Sequence, residues 1–212
     1  MAAFGAGVAA SLAAFIAVRG GGTSVFEAFA VVGATQTVVT IGVVAWLGRA
    51  PGRELLGFRF AAIDVGGLLV GAGLEVVAGI LIYLVVELVF GGHAPVQSVV
   101  RIADQADGLG TTVAVVAVTV VAVPLAEELV FRGVLQRALE HRFKRAVALF
   151  GTAAIFALTH VALDIDAAIA VPALFGLGLV LGLLVKRTGR LGPAIFTHAG
   201  FNLVGVLLLL LS

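Results

Sequence analysis

The chain has 212 residues, 61% of them hydrophobic and 12% charged, with a mean hydropathy of +1.21. Soluble domains carry about 25% charged residues, so the composition excludes an ordinary soluble domain and reads as an all-α, polytopic membrane protein. A formal net charge of +1 leaves no basic footprint for nucleic acid, and the absence of cysteine excludes disulfides, thiol catalysis and thiolate-held metal.

A span needs roughly 17–25 apolar residues, and on that measure the sequence predicts a bundle of about seven. The first is expected over 2–18; without a basic n-region it reads as a retained helix rather than a cleaved leader. The second covers 25–47 and is closed by a polar link with Pro51 and Gly52. The third, 63–90, is long for one crossing and must tilt or project. A polar stretch, 91–110, follows and suits the membrane surface. The remaining four are placed at 111–139, 146–162, 167–185 and 192–211. With this count the links after the second, fourth and sixth spans share one face. They hold ten basic residues against two, Arg19 and Arg101, on the other. The positive-inside rule then puts the N-terminus in the cytoplasm of a multi-pass cell-membrane protein.

The fourth span carries the conspicuous chemistry, Pro124-Leu-Ala-Glu127-Glu128-Leu-Val-Phe-Arg132-Gly133, within otherwise apolar helix. An ionised side chain at the bilayer centre costs at least ~2.5–3.5 kcal/mol, so intramembrane charge marks a functional site by default. Glu128 and Arg132 stand i,i+4 and can pair. Glu127 is turned about 100° from Glu128 and can address another neighbour. The plain structural alternative is an ionic staple of all three between helices. The fifth span ends with Phe156 and His160, again i,i+4, and the seventh carries His198 and Asn202 at the same spacing. Each of these pairs alone could be helix-packing or interfacial chemistry. Together, Glu127, His160, His198 and Asn202 can handle a water molecule: a desolvated carboxylate as base, imidazole to share its proton or bind Zn²⁺, and His and Asn donors for an oxyanion. Counting from the helix ends at ~1.5 Å per residue puts Glu127 and His160 about 20 Å deep and His198 about 10 Å. A kink at Pro124, helix tilt or a late start at Pro193 must bring them into one cavity open to the cytoplasm. Gly67-xxx-Gly71 and Gly178-xxx-Gly182 allow close helix approach. Glu75 lies mid-span and can pair with a buried polar group or line a cavity.

Taken in order, Glu127-Glu128-xxx-Arg132, Phe156-xxx-His160, Phe175-xx-Gly178 and His198-xxx-Asn202 resemble the motifs of the CPBP family. This group holds the type II CAAX prenyl endopeptidases and related intramembrane proteases, with bacteriocin-processing and immunity members. Thr188-Gly-Arg-Leu191 resembles the family's approach to its last motif. The resemblance implies a division of the bundle into N-terminal scaffold helices, 1–110, and a catalytic helical core, 111–212. It implies that Glu127 activates the attacking water with help from His160, and that His198 and Asn202 stabilise the oxyanion. Glu128, Arg132 and Phe156 would support the site. In the metalloprotease version of the family, His160, His198 and Glu127 would hold Zn²⁺, whereas a metal-independent glutamate mechanism uses the same residues. The activity implied is an intramembrane endopeptidase, with the lipid bilayer and a membrane-associated peptide or protein, possibly a prenylated CAAX one, as partners. The alternatives are a non-catalytic bacteriocin-immunity or binding protein that keeps the polar site, and a small transporter with a carboxylate relay, for which no inverted repeat is visible.

Overall fold

A computed structural model describes Gly42 and residues 56–93, 109–163 and 165–211; the two N-terminal spans expected over 2–18 and 25–47 lie outside these residues. Among the described residues every regular element is helical, and four helices are long and apolar enough to cross a bilayer. A 3-10 turn, Ala62–Gly66, leads into α1, Gly67–Phe90. Helix α2 runs without a break from Leu109 to Glu140. Helix α3 is Arg145–Leu163. A 3-10 turn, Ile165–Ala170, precedes α4, Val171–Thr188, and α5 is Gly192–Leu211. Where 167–185 was expected for the sixth span, the helix proper starts four residues later. Pro172 sits in its first turn, where a missing N–H costs nothing. The left-handed Gly189, φ +68°, ends it.

Helix α2 is not uniform. Two π-helical segments, Val118–Ala122 and Leu129–Gln136, flank the α-helical Val123–Glu128. Pro124 accounts for the first. Its ring would clash with the carbonyl one turn back in a regular α-helix, and the wider π turn relieves that crowding. In this register the Val123 N–H bonds to the Val118 carbonyl. The next donor would be the nitrogen of Pro124, which carries no hydrogen. The Thr119 carbonyl is therefore left over, and Asn202 of α5 donates to it from Nδ2 at 2.9 Å.

Small residues let the helices close on one another. Gly67 and Gly71 of α1 face Thr197 of α5, and Gly200 of α5 faces the Leu68 backbone. Gly178 of α4 rests on Ala153 of α3. Both glycine pairs singled out in the sequence thus make the close approaches expected of them. A methyl group at Gly71 would land on the Thr197 carbonyl, whereas one at Gly73 would meet nothing within 4 Å. Gly71→Ala is expected to cost at least ~1–3 kcal/mol by prising α1 from α5, and Gly73→Ala close to nothing. Thermal unfolding of the two variants in detergent checks the pair.

A polar clamp ties the entry to α1 onto the α4–α5 turn. Asp64 is buried, accepts the Ala61 N–H on Oδ2 at 2.7 Å, and takes Arg190 Nη2 on Oδ1 at 2.6 Å. The backbone joins in: Leu191 N–H donates to the Gly57 carbonyl at 2.8 Å and Gly192 N–H to that of Arg59 at 3.3 Å. The clamp accompanies a buried run from Leu191, just before α5, to Ile195 in its first turn, so that this helix starts below the surface of the bundle. Asp64→Ala is expected to lower stability by ~1–3 kcal/mol, read as a fall in the unfolding midpoint.

Candidate active site

The hydrophobic centre is formed by Leu129 and Phe131 of α2, Phe156 of α3, Leu177 and Leu181 of α4, and Ala194 and Ile195 of α5. The polar residues of the fourth span are set into this centre. Glu128 and Arg132 are both fully buried and paired, Arg132 Nη1 donating to Glu128 Oε1 at 2.8 Å. Arg132 Nη2 donates to the Gly178 carbonyl at 3.2 Å, and its guanidinium carbon lies 4.5 Å from the centre of the Phe156 ring. One turn on, Gln136 Nε2 donates to the Gly182 carbonyl at 3.2 Å. Arg132 and Gln136 thus reach carbonyls one turn apart on α4, where the glycines leave room for them. Gln136 was overlooked in the sequence. Its i+4 spacing from Arg132 and i+8 from Glu128 was the available signal.

His198 is buried at the junction of α5 and α2. Its Nδ1 lies 3.0 Å from Glu128 Oε1, the oxygen that already accepts Arg132. Glu128 is ion-paired and so acts as acceptor, which sets Nδ1 as the protonated nitrogen. The other nitrogen, Nε2, faces Glu127 Oε2 at 3.7 Å. The two adjacent carboxylates therefore straddle one imidazole instead of addressing separate neighbours. The depth offset between His198 and Glu127 is absorbed by the buried start of α5. Glu127 is 13% exposed, and its Oε2 has no hydrogen-bond partner among the described residues; the same holds for Glu128 Oε2 and Arg132 Nε.

Phe156, fully buried, gathers the remaining groups. It lies edge-on to His198 at 5.7 Å, to His160 at 4.9 Å and to Phe131 at 5.2 Å between ring centres. His160 Nδ1 lies 2.8 Å from the Phe156 carbonyl, one helical turn back. A carbonyl only accepts, so Nδ1 carries the hydrogen and Nε2 is left to accept or to bind. Asn202 stands one turn beyond His198, with one amide hydrogen engaged by Thr119. The structure thus joins Glu127, Glu128, Arg132, Phe156 and His198 directly. It sets His160, like His198, edge-on to the Phe156 ring, and gives Asn202 a backbone partner in the π turn.

The proposed Zn²⁺ ligands fit less well as a set. Among the described residues no three His, Asp or Glu side chains come together in a metal-holding arrangement. Glu127 and His198 approach each other, while His160 contacts the site through the Phe156 ring.

Comparison with known proteins bears on the same segment. Residues 109–204, from the start of α2 into α5, match the family model described as type II CAAX prenyl endopeptidase Rce1-like. Every residue of the site just described falls inside that match, whereas α1 and Asp64, the α1 side of the clamp, fall outside it. No curated protein and no solved structure matches the chain at a significant level.

Proposed function

We propose, from the premise that residues 109–204 form an Rce1-like type II CAAX prenyl endopeptidase domain in an integral membrane protein, that this chain hydrolyses a peptide bond of a membrane-associated substrate with Glu127 as general base. The observation that carries the reading is the Glu128–His198–Glu127 line, with Glu127 Oε2 buried and lacking a partner among the described residues. Arg132 balances one of the two carboxylates. The second is balanced by one proton held between Glu127 and His198 Nε2, which lie too far apart for a direct hydrogen bond and close enough for one water to touch both.

Hydrolysis follows from that arrangement. Glu127 takes a proton from the water as its oxygen bonds to the scissile carbonyl carbon. The electron pair displaced from the carbonyl becomes an oxyanion, which His198 meets with its Nε2–H while Glu128 holds Nδ1–H. The free hydrogen of the Asn202 amide is a second donor for it. When the C–N bond breaks, protonated Glu127 returns its proton to the leaving amine. His160, protonated on Nδ1, presents Nε2 as an acceptor and assists Glu127 in drawing the proton from water. Glu128, Arg132 and Phe156 position these groups and do not touch the reacting atoms.

The test uses the full-length protein in vesicles with two peptides of one sequence ending in a CAAX box, one prenylated on its cysteine. Release of the C-terminal tripeptide from the prenylated peptide, with one oxygen from labelled water in the new carboxylate, is the expected result. A purified, folded protein that cleaves neither peptide would overturn the assignment.

A further inference from the structure

Of the two donors assigned to the oxyanion, His198 and Asn202, the second is held by a backbone oxygen inside a helix. Asn202 lies one turn beyond His198, and α5 packs along both the π turn Val118–Ala122 and the α-helical Val123–Glu128 that carries the glutamates. Its Nδ2 donates to the Thr119 carbonyl at 2.9 Å. In a regular α-helix that oxygen accepts the N–H four residues on, from Val123. Here the Val123 N–H goes to Val118, five residues back. In the π register the Thr119 oxygen would accept from residue 124, which is a proline and has no N–H. Neither register therefore supplies a helical donor, and the Asn202 amide takes that place. The consequence for the amide is orientation. A carbonyl only accepts, so it holds the side-chain nitrogen towards α2 and disfavours the flipped amide, whose Oδ1 would face it. One amide hydrogen makes this anchor, and the other has no partner among the described residues.

We infer that Pro124 is a positioning residue for proteolysis: by withholding an N–H from the Thr119 carbonyl, it leaves that oxygen to fix the Asn202 amide in the orientation that keeps an N–H for the oxyanion. The inference rests on the reading of Asn202 as an oxyanion donor and adds what holds that donor in place. A carbonyl has two lone pairs, so an N–H restored at position 124 would not forbid the Asn202 bond outright. It would draw the oxygen back along the helix axis, where helical carbonyls point, and away from a donor that arrives from the side. An amide released from its anchor would also present Oδ1 to the oxyanion for part of the time, and that partial negative charge opposes the transition state. A proline that served only to bend or pack α2 predicts a different result. Its replacement would alter the unfolding midpoint and leave the amide where it is.

Asn202 is the sole asparagine of the chain, so the full-length protein in micelles, labelled with heavy nitrogen in asparagine side chains, gives a single pair of amide proton signals. In Pro124→Val and Pro124→Ala the anchored hydrogen should exchange with solvent faster than in the wild type, on the order of tenfold. Cleavage of the prenylated peptide should fall by about 10–10²-fold in kcat, with KM within about twofold, because the oxyanion contact is made only in the transition state. The midpoint of Pro124→Val is expected at or above that of the wild type. Proline is the least favourable residue inside a helix, and Val keeps most of the volume of this fully buried ring. Asn202→Ala should slow cleavage at least as much, and adding Pro124→Val to it should cost nothing further. Pro172→Ala, at an exposed proline in the first turn of α4, should change none of these readings. Amide exchange that is the same in the wild type and both Pro124 variants overturns the inference, whatever the rates. So does an amide set loose in variants that keep the wild-type kcat, or a further loss when Pro124→Val is added to Asn202→Ala. Asn202→Ala cleaving at the wild-type rate would instead remove the premise that Asn202 serves the oxyanion, and the amide signals, which need no activity, tell that failure apart from a failure of the anchor.

Discussion

Glu127→Gln should reduce proteolysis by a factor of about 10²–10⁴ or more and leave the folded bundle almost untouched. The two halves of this expectation come from different facts. The amide keeps the size of the carboxylate, so nothing in the packing between α2 and α5 changes. Glu127 Oε2 makes no hydrogen bond to the described protein, and His198 Nε2 lies 3.7 Å away. Little native stability is therefore held in this side chain. An amide, however, cannot accept the proton of the attacking water, and the water would have to attack undeprotonated. Cleavage rates of the prenylated peptide, measured beside the unfolding midpoint of each protein, give both readings. Cleavage by Glu127→Gln near the wild-type rate would remove Glu127 from the chemistry and leave the site a structural network. Loss of activity together with loss of folding would assign the residue a structural weight that the geometry does not give it.

The sequence made much of this legible because membrane helices announce themselves. Lipid forces each spanning backbone to bond within its own helix, so the apolar runs of α1, α2, α3 and α5 translate directly into elements, and α5 occupies 192–211 as expected. The i,i+4 rule likewise delivers the Glu128–Arg132 pair at 2.8 Å. What it cannot deliver is the partner across helices. That one imidazole sits between Glu127 and Glu128 depends on how deep α5 begins, and the Asp64–Arg190 clamp sets that depth through a residue 126 positions away in sequence. In the sequence Arg190 was only one of ten basic link residues. Asn202 shows the same limit. Its residue type suits an oxyanion donor, yet its amide also serves a carbonyl that exists unpaired only because Pro124 follows a π turn. A local spacing rule, written for regular 3.6-residue turns, has no means of finding that carbonyl.

Arg132→Ala is expected to be the most destabilising substitution in the site, by ~3–5 kcal/mol, because it strands the charge of Glu128 in a fully buried position. It also removes the donor to the Gly178 carbonyl and the cation above Phe156. The size of the loss reflects the stranded carboxylate more than the worth of the pair itself, and a double substitution separates the two. Glu128→Leu with Arg132→Met removes both charges and keeps most of the volume. Such replacements of buried ion pairs are often neutral or stabilising, so the double variant should recover a large part of the unfolding free energy lost by Arg132→Ala. It should not recover proteolysis. Without Glu128 Oε1, nothing holds the Nδ1–H of His198, and the ring loses its aim at Glu127. Stability regained without activity is the signature expected of a pair that positions the catalytic imidazole. If the double variant instead cleaves substrate at the wild-type rate, His198 does not need Glu128, and the line from Arg132 through Glu128 to His198 serves folding alone.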